Sequence, residues 1–510
     1  MTIFLLLAIL TGGEWSTYNG DYSGRRFAPQ SQINASNITA LAPRWIYRIS
    51  SVGAQRGVGN PTIKCTPLVV NGIMYLTIPD HVWALNARTG EEIWHYSWED
   101  HGGHLVGQRG VGIYNDWIYF LSPDGWFISL DAKNGKERWR KKIADEKRQY
   151  FTTMAPLIVK SHIIVGVGGD AMDVPGYLEA RDPATGDLQW RWFTTPRPGE
   201  PGSETWPNKN AMEHGGGMTW LPGTYDPDLN LIYWGTGNPN PVYAGQGRKG
   251  DNLWTASIVA LNPDNGKLAW YFQASPHDTH DWDNVETPVL FDGVFNGQPR
   301  KLLAQAARNG YFFVLDRTNG KSLVSTGFVG VNWSKGIDSK GQPIPNPAKE
   351  PTVDGTLVNT PGGGGTNWFP PSYDPDTGLF YVQAREGYHV AYLTDTDEDP
   401  GGYGGGTGGG YSHGVLKAID YQTGKIRWSH EWPSESGAGS AGILTTAGKL
   451  LFTGDPSSNF IAFDPVSGKI LWHFLMTASL SNGPMTYELD GKQYIAAGAG
   501  DSLYVFTLAR

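Results

Sequence analysis

Seven segments of this chain share one plan: LNARTGEEIW (85–94), LDAKNGKERW (130–139), RDPATGDLQW (181–190), LNPDNGKLAW (261–270), LDRTNGKSLV (315–324), IDYQTGKIRW (419–428) and FDPVSGKILW (463–472). In each, Asp or Asn is followed by Gly four positions on and by a large apolar residue eight positions on, which is Trp in six of the seven. An Asp or Asn side chain bonds the backbone ahead of it, and Gly supplies the positive φ at which the chain reverses. Each copy therefore reads as a β-hairpin. The intervals between copies are 45, 51, 80, 54, 104 and 44 residues, mostly the length of one four-stranded propeller blade.

The two long intervals need their own reading. The 80-residue interval is one blade plus an insertion near 191–225. The 104-residue interval holds NWFPPSYDPDTGLFYVQA (367–384), a strand, turn and strand without a terminal Trp, which reads as a degenerate blade of its own. The expectation is an all-β, eight-bladed β-propeller with tryptophan-docking repeats, with seven blades as the alternative count. Trp94, Trp139, Trp190, Trp270, Trp428 and Trp472 are expected to fill the space between adjacent sheets. A ring of sheets removes exposed edges when its ends join, and WSTYNGDYSGRRFAP (15–29) or the C-terminal LDGKQYIAAGAGDSLYVFTL (489–508) could supply that closure. No long stretch keeps a 3.6-residue period. The glycine-rich tract 401–414 reads as a flexible loop on one face.

Composition supports this picture and excludes some functions. Gly makes up 68 of 510 residues and Trp 21, both well above ordinary usage. A net charge of −9 with both signs mixed along the chain argues against nucleic acid or an anionic membrane surface as partner. Cys65 is the only cysteine, so neither an intramolecular disulfide nor a covalent CxxCH haem site can form. The opening MTIFLLLAIL is shorter than the roughly 20 residues a membrane span needs. Residues 1–14 read as a signal-peptide-like remnant lacking a basic start. That implies a periplasmic, secreted protein without a membrane span, and leaves 15–510 as the propeller domain.

A propeller fold does not by itself imply chemistry. Four segments carry polar residues that do not repeat: GQRG (107–110), WGTGNPNP (234–241), SPHDTHDWDN (275–284) and QAARNGYFF (305–313). Asp278, Asp281 and Asp283 could bind a hard cation through oxygen, or one could act as a general base. His277 and His280 do not have the spacing of a zinc site. The plainer alternative is a polar loop bonded to itself.

The Trp-ended repeats, GTGNPNP, PHDTHD (276–281), ARNG (307–310) and PMTYELDGKQYIAAGAG (484–500) together resemble the quinoprotein alcohol dehydrogenases, the family that includes methanol dehydrogenase. The resemblance runs from about residue 15 onward. It implies pyrroloquinoline quinone in the central funnel beside a metal ion, oxidation of an alcohol to an aldehyde or ketone, and electrons passed to an acceptor such as a soluble cytochrome c. Carried over by position, Asp281 matches the catalytic base and Arg308 the arginine that polarises a quinone carbonyl. Trp220 matches the tryptophan stacked on the quinone, and Arg109 and Thr153 match quinone-binding positions. Asn238 and Asp281 fall at the metal.

Three departures accompany the resemblance. The adjacent cysteines common in the family are missing from GGHLVGQ (102–108). A metal-ligating glutamate is replaced in GVGGDAM (166–172), where Ala171 stands at the matching position and Asp170 could substitute. A quinone-contacting glutamate is replaced by Lys64, which would meet the quinone carboxylates as a cation. Asp283 resembles the extra aspartate of lanthanide-using members, so the expected metal is Ca²⁺ or a lanthanide. The competing readings are a non-catalytic propeller scaffold for protein assembly and a ligand-sensing propeller, neither of which needs Asp281, Arg308 and Asn238 to converge.

Overall fold

The repeat turns close on themselves as their residue types dictate. At 131–135 the Asp131 carboxylate accepts the N–H groups of Lys133 (2.9 Å) and Asn134 (3.1 Å), and the Gly135 N–H donates to the Asp131 carbonyl at 2.8 Å. In the computed structural model, which describes residues 13–49, 61–99, 102, 105–169, 173–433 and 441–509, each such turn joins the last two strands of an antiparallel sheet. The first sheet shows the pattern, with Leu68–Val70, Ile73–Ile78, His81–Asn86 and Glu92–Ser97 bonded in chain order. The described residues form eight sheets of four or five strands, plus a two-stranded hairpin of Ser334–Ile337 with Pro343–Pro345. Lys209–Glu213 is the only α-helix among them. The architecture is an all-β propeller.

Neighbouring sheets meet through the repeat tryptophans. The Trp94 indole N–H donates to the Ala132 carbonyl at 3.0 Å, and a Cβ on Gly135 would come within 2.7 Å of the Trp94 ring. A turn residue with a side chain would push the indole away. Trp190, Trp270 and Trp428 make the same bond to the carbonyls of Pro263 (2.7 Å), Arg317 (3.1 Å) and Pro465 (3.0 Å), each one residue past the turn Asp or Asn. Trp139 differs, because Tyr119 and Arg138 take the Pro183 carbonyl and leave its indole N–H without a partner.

Two expectations are corrected. The 367–384 stretch is not a separate blade: Ser372–Asp374 and Leu379–Leu393 form one sheet with Gly405–Asp420 and Ile426–Glu431, which carry the repeat at 419–428. The hairpin Ser334–Ile337 with Pro343–Pro345 and the strand Thr356–Asn359, inserted between 327 and 372, lengthen this interval without adding a unit. The glycine-rich tract is also not a loop over most of its length. Gly405–Gly410 lies within the strand Gly405–Asp420, paired with His389–Leu393, where missing side chains let the backbones lie flat.

The eighth sheet is closed by both ends of the chain, Leu41–Arg48 pairing antiparallel with Ser502–Leu508. Trp45 on that strand donates to the Ala87 carbonyl at 3.3 Å and lies over Gly90. It serves the first repeat turn as the other tryptophans serve theirs. The earlier stretch, 15–28, crosses the first strands of several sheets. The carbonyls of Tyr22, Ser23, Arg25 and Arg26 accept the N–H groups of Tyr225, Leu290, Tyr373 and Thr445. The buried Arg26 guanidinium ties the stretch down by donating to the carbonyls of Tyr18 (2.9 Å), Ile443 (3.1 Å) and Pro484 (2.5 Å). Residues 1–12, with most of the signal-like run, lie outside the described residues.

Replacing Trp45 by Ala should therefore destabilise the ring by about 3 kcal/mol, the scale of deleting a large packed aromatic. Thermal unfolding should show a clear drop for Trp45→Ala, while Ile46→Ala on the same strand, 53% exposed, should stay within about 0.5 kcal/mol of wild type.

Candidate active site

The sheet pattern explains why residues remote in sequence meet. In an antiparallel sheet, the start of the first strand, the end of the second and the start of the third lie at the same end. Lys64 precedes Leu68–Val70, Arg109 precedes Gly112–Tyr114, Thr153 precedes Leu157–Val159, Trp220 precedes Thr224–Asp226, and Asp281 and Asp283 precede Val289–Phe295. Asn238 follows the second strand Leu231–Gly235, and Arg308 sits between Gln298–Ala306 and Tyr311–Asp316. All occupy the end opposite the repeat turns.

At the centre one guanidinium bridges two carboxylates. Arg308 Nη2 lies 2.8 Å from Asp281 Oδ2, and Nη1 lies 3.0 Å from Asp283 Oδ2. Asp283 also accepts the Trp220 indole N–H (3.1 Å) and the Asn238 backbone N–H (2.7 Å). Two glycines make room: a Cβ on Gly237 would come 2.6 Å from Asp283 Oδ1, and one on Gly364 would come 2.2 Å from Arg308 Cγ. Asp281 itself holds φ +62, a region that side chains other than Gly seldom adopt outside functional or turn positions. Its side chain keeps 20% exposure against 1% for Asp283, so Asp281 is the carboxylate open to an incoming molecule.

Burial pushes the Asp281 carboxyl up to about 7; Arg308 opposes this, while Asp283 and Asp278 reinforce it. Burial also opposes the charge on Arg308, yet the surrounding carboxylates raise it above its ordinary value. Glu286, which the sequence reading did not single out, is 3% exposed, and burial pushes it up to about 8 against the nearby backbone N–H groups of Glu286 and Arg308 and the Arg308 charge.

The rest of the acidic segment serves the loop. Asp278 accepts the backbone N–H groups of His280 (3.0 Å) and Trp282 (2.8 Å), so it shapes the turn that presents Asp281. The His277 ring meets the Gly250 carbonyl at 2.8 Å, and His280 packs on Trp282 with centroids 4.4 Å apart. Burial pushes these imidazoles down to about 4 and about 3, leaving them neutral.

Beside this cluster lies an aromatic and cationic cradle. The Arg109 guanidinium stands 5.4 Å from the Trp220 ring and 4.6 Å from the Trp368 ring, with Nε and Nη1 unpartnered. Burial pushes it down to about 10. Thr153 Oγ1 donates to the Trp220 carbonyl at 2.9 Å and so positions that tryptophan. Lys64 Nζ donates to the Val106 carbonyl at 2.6 Å, and burial and then Arg109 lower its pKa. Trp368 was missed in the sequence; its place just ahead of Ser372–Asp374 matches that of Trp220, Arg109 and Thr153 ahead of their strands. Asp170 and Ala171 lie outside the described residues.

Flat indole surface, unpaired guanidinium nitrogens and a lysine suit a planar, carboxylate-bearing ring system. For a hard cation, the Asn238 Oδ1 is buried and unpartnered, on a residue whose backbone N–H is bonded to Asp283, and amide and carboxylate oxygens are the donors such a cation takes. No three His, Cys, Asp or Glu among the described residues gather as a metal cage, so the candidate donors there are two carboxylates and this amide oxygen.

Comparison with known proteins decides the family. The PQQ family model described as "Glucose/ethanol/alcohol dehydrogenase, beta-propeller domain" matches residues 15–357 and 411–495. The chain belongs to this family. It is 35% identical to the quinoprotein alcohol dehydrogenase PedH of Pseudomonas putida, covering 94% of this chain and 84% of that protein. It is 36% identical to the quinohemoprotein alcohol dehydrogenase of Comamonas testosteroni, over 96% of this chain and 72% of that protein. A europium-containing methanol dehydrogenase superposes with a TM-score of 0.86 at 29% identity, over 98% of each chain. This chain is accordingly an oxidoreductase, a quinoprotein alcohol dehydrogenase that takes pyrroloquinoline quinone (PQQ) as cofactor.

Glu286 offers a check on the electrostatics of the quinoprotein's site. Its folded pKa, about 8, lies above its ordinary 4.5, so between those values the folded state holds a proton that the unfolded state has released. Stability from this group is present at low pH and falls as pH rises through that window. Thermal melts of the apoprotein should show wild type losing ground to Glu286→Gln from about pH 5 to pH 8, with the gap levelling off above that.

Proposed function

We propose that this quinoprotein oxidises an alcohol to an aldehyde or ketone with Asp281 as general base. We read the eight sheets as eight blades with tryptophan-docked turns, and residues 15–510 as one catalytic domain. The observation that carries the proposal is the Arg308 bridge between Asp281, partly open, and Asp283, fully buried. Arg317 also spans two carboxylates, Asp226 and Asp292, but the Arg308 bridge differs in lying at the end opposite the repeat turns, with Asp281 partly open and the Asn238 Oδ1 unpartnered.

Bound PQQ would supply the two-electron acceptor, and a Ca²⁺ or lanthanide ion would supply a Lewis acid. Asn238, Asp281 and Asp283 would hold the metal, with Asp170 as a further candidate. Two carboxylates and an amide oxygen suit Ca²⁺ or a lanthanide as hard cations, and europium is named for one structural relative. Trp220 would carry the flat face of the cofactor, positioned by Thr153, while Arg109 and Lys64 would meet its carboxylates. Arg308 would neutralise negative charge as it develops on the cofactor oxygen nearby. Asp281 would accept the hydroxyl proton, its basicity set by burial against Arg308. Electrons would leave to a soluble cytochrome c or a similar carrier, and the periplasm is the proposed compartment. A relative from Thauera butanivorans carries the name 1-butanol dehydrogenase (cytochrome c).

Purified protein loaded with PQQ and either Ca²⁺ or La³⁺ should reduce an artificial dye in the presence of a primary alcohol, and chelation should abolish this. Failure to bind quinone under either metal would refute the proposal. Asp281→Asn should keep the quinone absorbance band and lose at least about 100-fold in kcat, the lower range for removing a general base. Full turnover in that variant would exclude Asp281.

A further inference from the structure

The paired strands Leu379–Leu393 and Gly405–Asp420 run together from Leu379 opposite Asp420 to Leu393 opposite Gly405. Their first half pairs with Ser372–Asp374 and Ile426–Glu431, and the second half, paired along Tyr388–Ala391 with Thr356–Asn359, continues at the catalytic end. At its foot, the neighbouring Gly363 and Gly364 lie against Arg385 and Arg308. Midway, His389 bonds the Thr360 carbonyl at 2.8 Å and stands edge-on to Trp282, the residue after Asp281, at 6.5 Å.

The tip is fastened to the loop that follows Asn238. Val242 and Tyr243 donate their N–H groups to the carbonyls of Gly402 (3.2 Å) and Tyr403 (2.8 Å). Gln246 Nε2 reaches the carbonyls of Asp395 and Asp397, both at 3.1 Å. The Gly402 N–H faces both oxygens of Asp173, at 3.0 and 2.9 Å. A Cβ on Gly404 would come 2.4 Å from the Ala244 Cβ, so glycine permits this close approach.

These contacts leave a line of aromatic surface from the site outward. Tyr243 is 6% exposed and near enough to Asp281 and Arg308 for their charges to act on its phenol. Its ring lies 6.3 Å from that of Tyr403, at 33°, within the range at which aromatic rings attract. Tyr403 is 44% exposed. Tyr243 and Tyr403 thus form an aromatic step from the neighbourhood of Asp281 to the exposed tip, and a one- or two-carbon tail is shorter than the 6.3 Å between their rings. The family model matches up to residue 357 and again from 411, so the hairpin tip lies outside the segments that model describes.

We propose that the hairpin tip, residues 394–404, is the wall that receives the alcohol's tail, with Tyr403 as a specificity-determining residue favouring alcohols with an aromatic tail. The inference rests on the function proposed above. The test compares 3-phenylpropan-1-ol with ethanol on PQQ- and metal-loaded wild type, Tyr403→Ala and Tyr403→Phe, with quinone loading followed by its absorbance band. Tyr403→Ala should lose about three- to tenfold in kcat/KM for the phenyl alcohol, the scale of one aromatic pair, chiefly through KM. Ethanol turnover and quinone loading should stay within twofold, and Tyr403→Phe should behave as wild type. Saturation transfer from protein to the phenyl protons should weaken in Tyr403→Ala alone. If both alcohols changed alike, or neither changed, the function would stand and the wall would fall. If loaded wild type oxidised neither alcohol, the function would fall and the wall with it.

Discussion

Neighbouring sheets are held together at several places by an indole lying against a glycine turn in the next sheet. That contact recurs at one end of the ring, with the indole N–H bonded to a carbonyl one residue past the turn acid or amide. It brings those sheets to a common spacing, and Trp45 on Leu41–Arg48, paired with Ser502–Leu508, repeats it at the first turn. Because the packing load sits at the turn end, the opposite end is free of it. There, loops can carry Arg, Asp and Asn without disturbing the ring.

What those loops assemble is an electrostatic compromise. Three carboxyl groups, Asp281, Asp283 and Glu286, share one buried neighbourhood with Arg308 as their common cation. One guanidinium cannot neutralise three carboxylates, so burial drives Asp281 and Glu286 toward the protonated state. A bound divalent or trivalent cation would relieve the same imbalance, with the unpartnered Asn238 oxygen ready to join. On the cradle side the imbalance is reversed: Arg109 has unpartnered nitrogens between two indoles and Lys64 is depressed beside it. The site is short of positive charge where a metal would sit and short of negative charge where the cofactor's carboxylates would lie.

The turns were legible in the sequence because their chemistry is local: an Asx residue, a glycine and a tryptophan at fixed offsets need no tertiary context. Asp281, Arg308, Asn238, Trp220, Arg109 and Thr153 were legible through resemblance, and the structure brings them to one end. Trp368 was not, since a tryptophan in a chain with 21 of them defaults to packing. Only its position ahead of a first strand distinguishes it. Glu286 escaped for a different reason: a buried carboxyl is defined by what surrounds it in space. The 367–384 stretch misled because two strands and a turn have the local pattern of a whole unit, and only pairing with Gly405–Asp420 reveals that they are half of one.

The glycine-rich tract carries the same lesson further. Glycine runs read as flexible because backbone freedom is what glycine offers in an unfolded chain. Here the missing side chains serve close approach: a Cβ on Gly405 would come 2.3 Å from the Tyr392 carbonyl oxygen, and one on Gly410 would come 2.5 Å from that of Tyr388. The ordering entropy is met by paired strands and by anchors at Asp173, Val242, Tyr243 and Gln246. Those anchors all lie on loops of the catalytic end, so the hairpin's order and the site's shape are coupled. A change in the tip need not touch Asp281 to alter what can approach it, which makes this segment a natural place for selectivity to vary while the shared ring and its acid cluster stay the same.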